Sequence, residues 1–142
     1  MKKIYSKVEE NILLHIICRK SDFVDKRTNV VDSEEFIQCA IMKLNAGQTF
    51  RPHKHVWKHF VSEYGGDTAK AQESWVVIRG KVKCIFYDVN DEIIYTAVLE
   101  EGDASFTLHG GHNYEVLMDN TMVYEYKTGP YTGQENDKKF ID

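Results

Sequence analysis

Short apolar runs recur along this chain and are separated by polar turn residues. In the run Lys81–Tyr87, Val82, Cys84 and Phe86 lie on one face and the two lysines lie on the other, which is the period-two pattern of a β-strand. In Ser74–Ile78 both faces are apolar, as in a strand that is covered on both sides. Eight strands are predicted by these criteria: Ile12–Cys18, Phe36–Leu44, Ser74–Ile78, Lys81–Tyr87, Ile93–Leu99, Ser105–Leu108, Tyr114–Met118 and Met122–Lys127.

The segments between these runs carry residues that favour chain reversal. Gly80 can adopt a positive φ between two predicted strands. The segment Asp88–Asp91 is rich in side chains that hydrogen-bond to their own backbone, and it predicts a hairpin. Many short strands, with no convincing amphipathic helix, predict an antiparallel all-β sandwich or closed barrel.

Size and charge restrict the class of protein further. The chain has 142 residues, of which 42% are apolar, and this is enough to bury the core of one domain. Its net charge of −4 leaves no basic excess to neutralise a phosphate backbone, so no nucleic-acid partner is expected.

The early apolar stretch and the cysteines bear on location. Residues 12–18 include His15 and fall far short of the roughly 20 apolar residues of a membrane-spanning helix, so no membrane partner is expected. Cys18, Cys39 and Cys84 lie far apart and form no CxxC motif, which argues against a disulfide framework and a thiolate zinc site. We therefore expect a cytoplasmic protein.

The first chemical signal is the sequence His53-Lys54-His55. In an extended chain, residues i and i+2 project to the same face, with Cα atoms about 6.6 Å apart. Two imidazoles so placed can converge on one metal ion, with metal–nitrogen bonds of roughly 2.1 Å. A solvated histidine pair is the alternative, because the chain has six histidines and such a pair can arise by chance.

Three spaced segments give this histidine pair a context. They are GQTFRPHKH at residues 47–55, ESWVVIRG at residues 73–80 and GDASFTLHGGH at residues 102–112. This ordered series resembles the two sequence motifs of the cupin superfamily, and the resemblance covers residues 47–126.

The resemblance implies a fold and a ligand set. The fold is the cupin-type double-stranded β-helix, an antiparallel jelly-roll barrel. Inside the barrel the family binds one divalent metal ion, and the matching side chains here are His53, His55, Glu73 and His112. Three imidazoles and one carboxylate suit Fe, Mn, Ni, Zn or Cu without selecting among them. A metal-free histidine cluster is the alternative.

The chain departs from the family pattern at two places. Residues 56–72 stand between the histidine pair and Glu73, where the family usually has only a few residues, and we expect an inserted loop at the barrel mouth. In the second motif, Leu108 occupies the position of the familiar proline and the interval to His112 is one residue short. His109 is therefore an alternative to His112 as the fourth ligand.

Three further residues are candidates for catalysis. The insertion is bounded by proposed metal ligands, so we expect it to form a mobile cover that brings His59 or Tyr64 to the cavity for proton transfer. Tyr114 shares a strand face with His112 and is expected to line the cavity. The alternatives are solvated loop residues for the first two and core packing for Tyr114.

We expect a single cupin domain over residues 1–142, with the barrel core at about 36–127 and a surface tail at 128–142. The apolar residues on both faces of Ser74–Ile78, together with the early strand Ile12–Cys18, exceed what one small barrel is expected to cover. This predicts a homodimer, which would also protect unpaired edge strands.

Two segments, KTGPY at residues 127–131 and GGHNY at residues 110–114, resemble those of small, poorly characterised cupins that accompany surface-sugar biosynthesis. This implies an isomerase or epimerase that acts on a sugar or sugar nucleotide in surface polysaccharide metabolism. An Fe(II)-dependent dioxygenase and a non-catalytic, metal-dependent small-molecule-binding protein remain alternatives. A fourth possibility is a metal-free enzyme that uses the histidines as proton-transfer bases.

Overall fold

The computed structural model describes residues 1–62 and 65–142, and β-strands make up most of that part of the chain. Fourteen strands lie within these residues: β1 Lys2–Tyr5, β2 Leu13–Ile17, β3 Thr28–Asn29, β4 Ile37–Leu44, β5 His53–His55, β6 Trp57–Ser62, β7 Gly65–Lys70, β8 Glu73–Arg79, β9 Lys81–Tyr87, β10 Ile93–Glu100, β11 Ala104–Thr107, β12 Gly111–Val116, β13 Thr121–Thr128 and β14 Lys138–Phe140. Two 3-10 turns, Lys20–Asp22 and Gln134–Asn136, are the helical segments of this region.

Two antiparallel five-stranded sheets form the body of the fold. The first has the strand order β10-β9-β12-β5-β14, and the second has the order β11-β8-β13-β4-β3. From β8 to β13 the chain crosses between the two sheets at every connection except the β9–β10 hairpin. This alternation is the double-stranded β-helix, or jelly roll, so the predicted antiparallel fold is confirmed.

Side chains, rather than hydrogen bonds, fill the space between the sheets. Within the described part of the chain, the strand pairings form two separate sheets and do not run continuously around a closed barrel. The inner residues of both sheets meet in one buried cluster: Met42, Leu44, Trp75, Val77, Val82, Cys84, Tyr114, Val116 and Val123. The alternation predicted for Lys81–Tyr87 is confirmed, since Val82 and Cys84 are buried there.

A second cluster covers the outer face of the second sheet. Ile41 and Met122 on this face pack against Phe23 and Val30, and Ile78 joins them at the margin. The second apolar face of Ser74–Ile78 is thus covered at Ile78 by the chain's own N-terminal segment. A neighbouring subunit is not needed for that purpose.

Two glycines set corners of the fold, and the one at Gly80 is the reversal predicted from the sequence. Gly80 has a φ of +91° where the chain leaves β8 for β9 in the other sheet, and a Cβ atom there would collide with Thr121. Gly110 has a φ of +82° just before β12, and a Cβ atom there would collide with the carbonyl oxygen of Tyr87. Positive φ and lack of space both require glycine at these corners.

The structure corrects two expectations about the chain outside the barrel core. The insertion at residues 56–72 is not an irregular loop, because β6 and β7 pair there as an antiparallel hairpin. The region 128–142 is more than a surface tail, because β14 pairs with β5 and both Asp137 and Ile141 are buried. Six strands were not predicted from the sequence: β1, β3, β5, β6, β7 and β14.

All three cysteines are free, and Cys84 is fully buried. In the described part of the chain, no helix is long and apolar enough to cross a membrane.

Candidate metal centre

Three histidines and one glutamate cluster between the two sheets. His53 and His55 project inward from β5, and His112 lies beside them because β12 pairs with β5 in a register that places His112 opposite His53. Glu73 reaches the same point from β8 of the other sheet. All four residues are buried, and each offers one ligand atom within 4.8 Å of the others.

A close approach of strands creates this register. Gly111 pairs with Lys54 of β5 on one side and with Tyr87 of β9 on the other. A Cβ atom at Gly111 would collide with Ile141 and crowd the carbonyl oxygen of His53. The absence of a side chain at Gly111 therefore lets β12 enter between β5 and β9, and His112 follows directly.

The distances within the cluster suit a shared cation. Nε2 of His55 lies 3.1 Å from Oε2 of Glu73, and Nε2 of His112 lies 3.1 Å from Oε1. For metal bonds of about 2.1 Å, adjacent ligands at right angles are about 3.0 Å apart. The carboxylate thus bridges two imidazoles at the spacing that a metal ion requires.

Unsatisfied nitrogens provide the test of fit. Within the described part of the chain, Nε2 of His53 and Nδ1 of His112 are buried without a hydrogen-bond partner, and Nε2 of His112 has the contact with Glu73. Buried polar atoms without partners are costly and uncommon. A cation at the centre of the cluster would satisfy Nε2 of His53 and one ring nitrogen of His112, so this donor set is compatible with a metal ion.

Hydrogen bonds to the backbone fix the histidine tautomers. Nδ1 of His53 donates to the carbonyl oxygen of Arg51 at 2.9 Å, and Nδ1 of His55 contacts the carbonyl oxygen of Asp137 at 3.2 Å. Since a carbonyl oxygen only accepts, Nδ1 of His53 carries the proton and its Nε2 presents a lone pair to the cluster. Both ring nitrogens of His55 face accepting oxygens, so its Nε2 becomes a ligand when a cation stands between it and Glu73.

The electrostatics keep the donors in their ligand forms. Burial, with the neighbouring His112, lowers the pKa of His53 to about 3, so His53 is neutral at neutral pH. Burial alone would raise the pKa of Glu73, but the contacts with His112 and His55 outweigh it and hold that pKa well below its usual range. Glu73 is therefore an ionised carboxylate.

Asp137 supports the cluster on the side of His55 that faces away from Glu73, and it was not predicted from the sequence. Its Oδ1 lies 2.6 Å from Nζ of Lys58 on β6, and its Oδ2 lies 2.9 Å from Nζ of Lys127 on β13. Burial raises the pKa of Asp137, but the two lysines outweigh this effect and lower it overall. One buried carboxylate thus joins the inserted hairpin, the second sheet and the backbone that holds His55.

A cavity of about 240 Å³ opens beside the cluster. The ring of Tyr114 stacks on Trp75 with centroids 4.1 Å apart, and its hydroxyl lies 3.0 Å from Oγ of Ser105. Burial and the charge of Glu73 raise the pKa of Tyr114 well above its usual range. The cavity is lined by these side chains: Arg27, Asn29, Val31, Ser33, Gln38, Cys39, Ala40, Phe50, His53, Glu73, Trp75, Tyr114, Glu125, Lys127, Tyr131 and Lys138.

The candidate catalytic residues and the alternative ligand His109 do not all lie at the cavity. Tyr114 lines the cavity as expected, but His59 is exposed and is not among the described residues that line it. Tyr64 lies outside the described residues. His109 is exposed and stands apart from the cluster, whereas His112 is fully buried within it. The structure thus brings His112, rather than His109, to the other three candidate ligands.

Sequence reasoning missed the charged pairs around the cavity. Arg27 binds Glu125 through two contacts, at 2.6 Å and 3.2 Å, and these residues are 98 positions apart. No local motif marks such a pair. For Glu125 the available signal was its inward position on the predicted strand Met122–Lys127, where a carboxylate needs a partner.

A double-stranded β-helix that buries three histidines and a glutamate between its sheets is a fold and donor set of the cupin type. No family model and no curated protein sequence matches the chain. Solved structures do match in fold. KdgF from Halomonas sp. aligns with a TM-score of 0.55 and 17% identity, over 75% of this chain and 79% of KdgF.

Two further structures show the same likeness. The capsular polysaccharide assembling protein CapF from Staphylococcus aureus aligns with a TM-score of 0.64 and 18% identity, over 96% of this chain. The chain spans only 36% of that CapF chain. An uncharacterized conserved protein with a double-stranded β-helix domain from Klebsiella pneumoniae aligns with a TM-score of 0.62 and 13% identity, over 89% of this chain and 96% of its own. These similarities establish the cupin-type fold.

We predict that Asp137→Asn lowers the free energy of unfolding of the metal-free protein by about 3 kcal/mol, because it leaves two buried lysines without a counter-charge. Urea denaturation measures this loss. Asp142→Asn is the matched control, since Asp142 is fully exposed and its pair with Arg51 is solvated. Equal denaturation midpoints for the two variants would contradict the role given to Asp137.

Proposed function

We propose that this chain is a metal-dependent cupin enzyme that isomerises or epimerises a sugar-like small molecule. His53, His55, Glu73 and His112 would hold one divalent ion, drawn from Fe, Mn, Ni, Zn or Cu. The observation that carries the proposal is the buried donor set, in which Nε2 of His53 has no hydrogen-bond partner within the described residues and Nε2 of His112 lies 3.1 Å from Glu73. The adjoining cavity gives a ligand access to that set.

The side chains of the cavity suit proton transfer on a polar ring compound. A divalent ion bound by the cluster would supply a Lewis acid that polarises a carbonyl or hydroxyl oxygen. The pKa of Tyr114 lies well above its usual range, so the phenol is protonated at neutral pH and can donate a hydrogen bond or a proton to a ligand oxygen. Trp75 and Phe50, whose ring centroids are 5.4 Å apart, offer apolar surface to the less polar face of a sugar.

The structural neighbours support the choice of substrate class. CapF carries the description of a capsular polysaccharide assembling protein, which fits a role in surface polysaccharide metabolism. A CapF structure has also been solved with the inhibitor 3-isopropenyl-tropolone. A tropolone carries two adjacent oxygens, and such a pair is suited to chelating a metal ion. This chain spans about a third of CapF, so a role of this chain in the same metabolism is part of the proposal.

The inserted hairpin is proposed as the cover of the cavity, with His59 or Tyr64 as a second proton-transfer group. Lys58 anchors the end of this hairpin that adjoins the barrel, because its Nζ pairs with Asp137 and donates to the carbonyl oxygens of Thr128 and Pro130. Closure of the hairpin would bring His59, which is exposed, toward the ligand.

We predict that His53→Ala and His112→Ala each abolish stoichiometric metal, while His109→Ala retains it. Elemental analysis of protein purified without added metal measures this, and circular dichroism checks that the sheets remain. His109→Ala is the matched control because His109 is exposed and outside the cluster. Full metal occupancy in a variant that lacks both His53 and His55 would place the site elsewhere.

We further predict that the metal-loaded protein exchanges the hydrogen next to the carbonyl group of a substrate sugar with solvent deuterium, as followed by NMR over a panel of aldoses and ketoses. Tyr114→Phe should slow this exchange by about 100-fold, the scale of general acid–base catalysis. Tyr95→Phe, which alters an exposed tyrosine, should leave the rate unchanged. His59→Ala and Tyr64→Phe in the same assay test the cover.

Other outcomes of this assay would favour the alternatives. Iron-dependent consumption of oxygen without isomerisation would identify a dioxygenase. Sugar binding with neither exchange nor oxygen consumption would identify a binding protein. Exchange that persists after complete removal of metal would favour histidine bases alone.

A homodimer and a cytoplasmic location complete the proposal. Ile37, Phe106, Leu108 and Tyr126 are at least partly exposed and line an apolar groove of about 330 Å³ on the surface. We predict that light scattering at micromolar concentration gives twice the 16.5 kDa chain mass, and that Phe106→Glu shifts it toward the monomer. A monomer in the parent protein would overturn the dimer. The free thiols suit the reducing cytoplasm.

A further inference from the structure

We propose that the ligand of the cavity is a single sugar unit that carries a carboxylate or phosphate group, and that Lys138 binds this anion. The inference rests on the metal-dependent function proposed above. It goes further by naming a chemical class of ligand and the residue that selects it.

Lys138 reaches the cavity from β14, the last strand of the first sheet. Its backbone pairs with that of His55, and its side chain is half-buried and lines the cavity together with His53 and Glu73. Lys138 therefore stands next to the candidate metal centre.

The two other cations of the cavity are already paired. The guanidinium of Arg27 is bound bidentately by Glu125, and the ammonium group of Lys127 contacts Asp137 at 2.9 Å. Among the described residues, no carboxylate lies within ion-pair distance of Lys138. Lys138 is thus the lining cation that is available to a ligand.

The net charge of the site also favours an anionic ligand. The lining side chains comprise three cations and two carboxylates, which gives a net charge of +1. Behind the lining, the charges of Asp137 and Lys58 cancel, so the sum stays at +1. A divalent ion on the cluster would raise the total to +3. An anionic ligand would offset that charge in a partly enclosed space, where screening by water is weak.

The size of the cavity restricts the ligand. Pockets for drug-sized compounds hold roughly 300–1,000 Å³. At about 240 Å³ this cavity falls below that range, which suits one sugar ring better than a complete sugar nucleotide. The sequence offers Arg51 as another anion-binding residue, but Arg51 is exposed, pairs with Asp142 and lies over the ring of Phe140.

The test measures binding to the metal-loaded protein by calorimetry, with quenching of tryptophan fluorescence as a second readout because Trp75 lines the cavity. The probes are galacturonate, galactose 6-phosphate and neutral galactose, which share one ring and differ in charge. We expect at least one anion to bind ten-fold more tightly than galactose. Lys138→Gln should remove that difference, and the matched control Lys139→Gln, which changes the exposed neighbouring lysine, should retain it.

Each outcome bears on the proposal. Preference for galacturonate assigns the anion as a carboxylate, and preference for galactose 6-phosphate assigns it as a phosphate. Galactose binding as tightly as both anions, no binding of either anion, or unchanged selectivity in Lys138→Gln would overturn the inference. Metal content is measured on the same samples. Absence of stoichiometric metal would overturn the proposed function, whereas failed anion selectivity in protein that holds metal would overturn only this inference.

Discussion

The carboxylate of Glu73 is the constraint around which the interior is arranged. An ionised group between two apolar sheets is costly unless compensating groups surround it. Here two imidazoles contact its two oxygens, and a third imidazole completes the enclosure. The strands that carry these imidazoles must therefore lie side by side and face β8. The pairing of β12 with β5 supplies that arrangement, and the narrow passage at Gly111 makes it sterically feasible.

A second buried carboxylate, that of Asp137, needs compensating groups for the same reason. It is compensated by two lysines rather than by imidazoles, and its backbone carbonyl oxygen also orients His55. The two acidic groups thus lie on opposite sides of one histidine ring. Substitution of Asp137, which does not line the cavity, can in this way alter the centre, because the His55 ring between the two carboxylates is held from both sides.

The sequence was informative wherever the signal was local. Strand alternation located the central strands to within a few residues, and the resemblance to the cupin motifs implied the cluster of His53, His55, Glu73 and His112. The remaining features are long-range. β14 has the sequence KKF, and no local pattern marks three residues with two lysines as a strand, because its pairing with β5 is tertiary. The same holds for Asp137, whose partners are fixed only when distant segments meet.

The contact between His55 and the backbone of Asp137 spans 82 positions along the chain. During synthesis the ribosome makes His53, His55, Glu73 and His112 well before the residue that orients one of them. Until Asp137 and β14 have emerged from the ribosome, β5 lacks one of its two neighbouring strands and Lys58 and Lys127 lack their shared counter-charge. Completion of the centre therefore waits for the docking of β14, a strand that follows all four cluster residues along the chain.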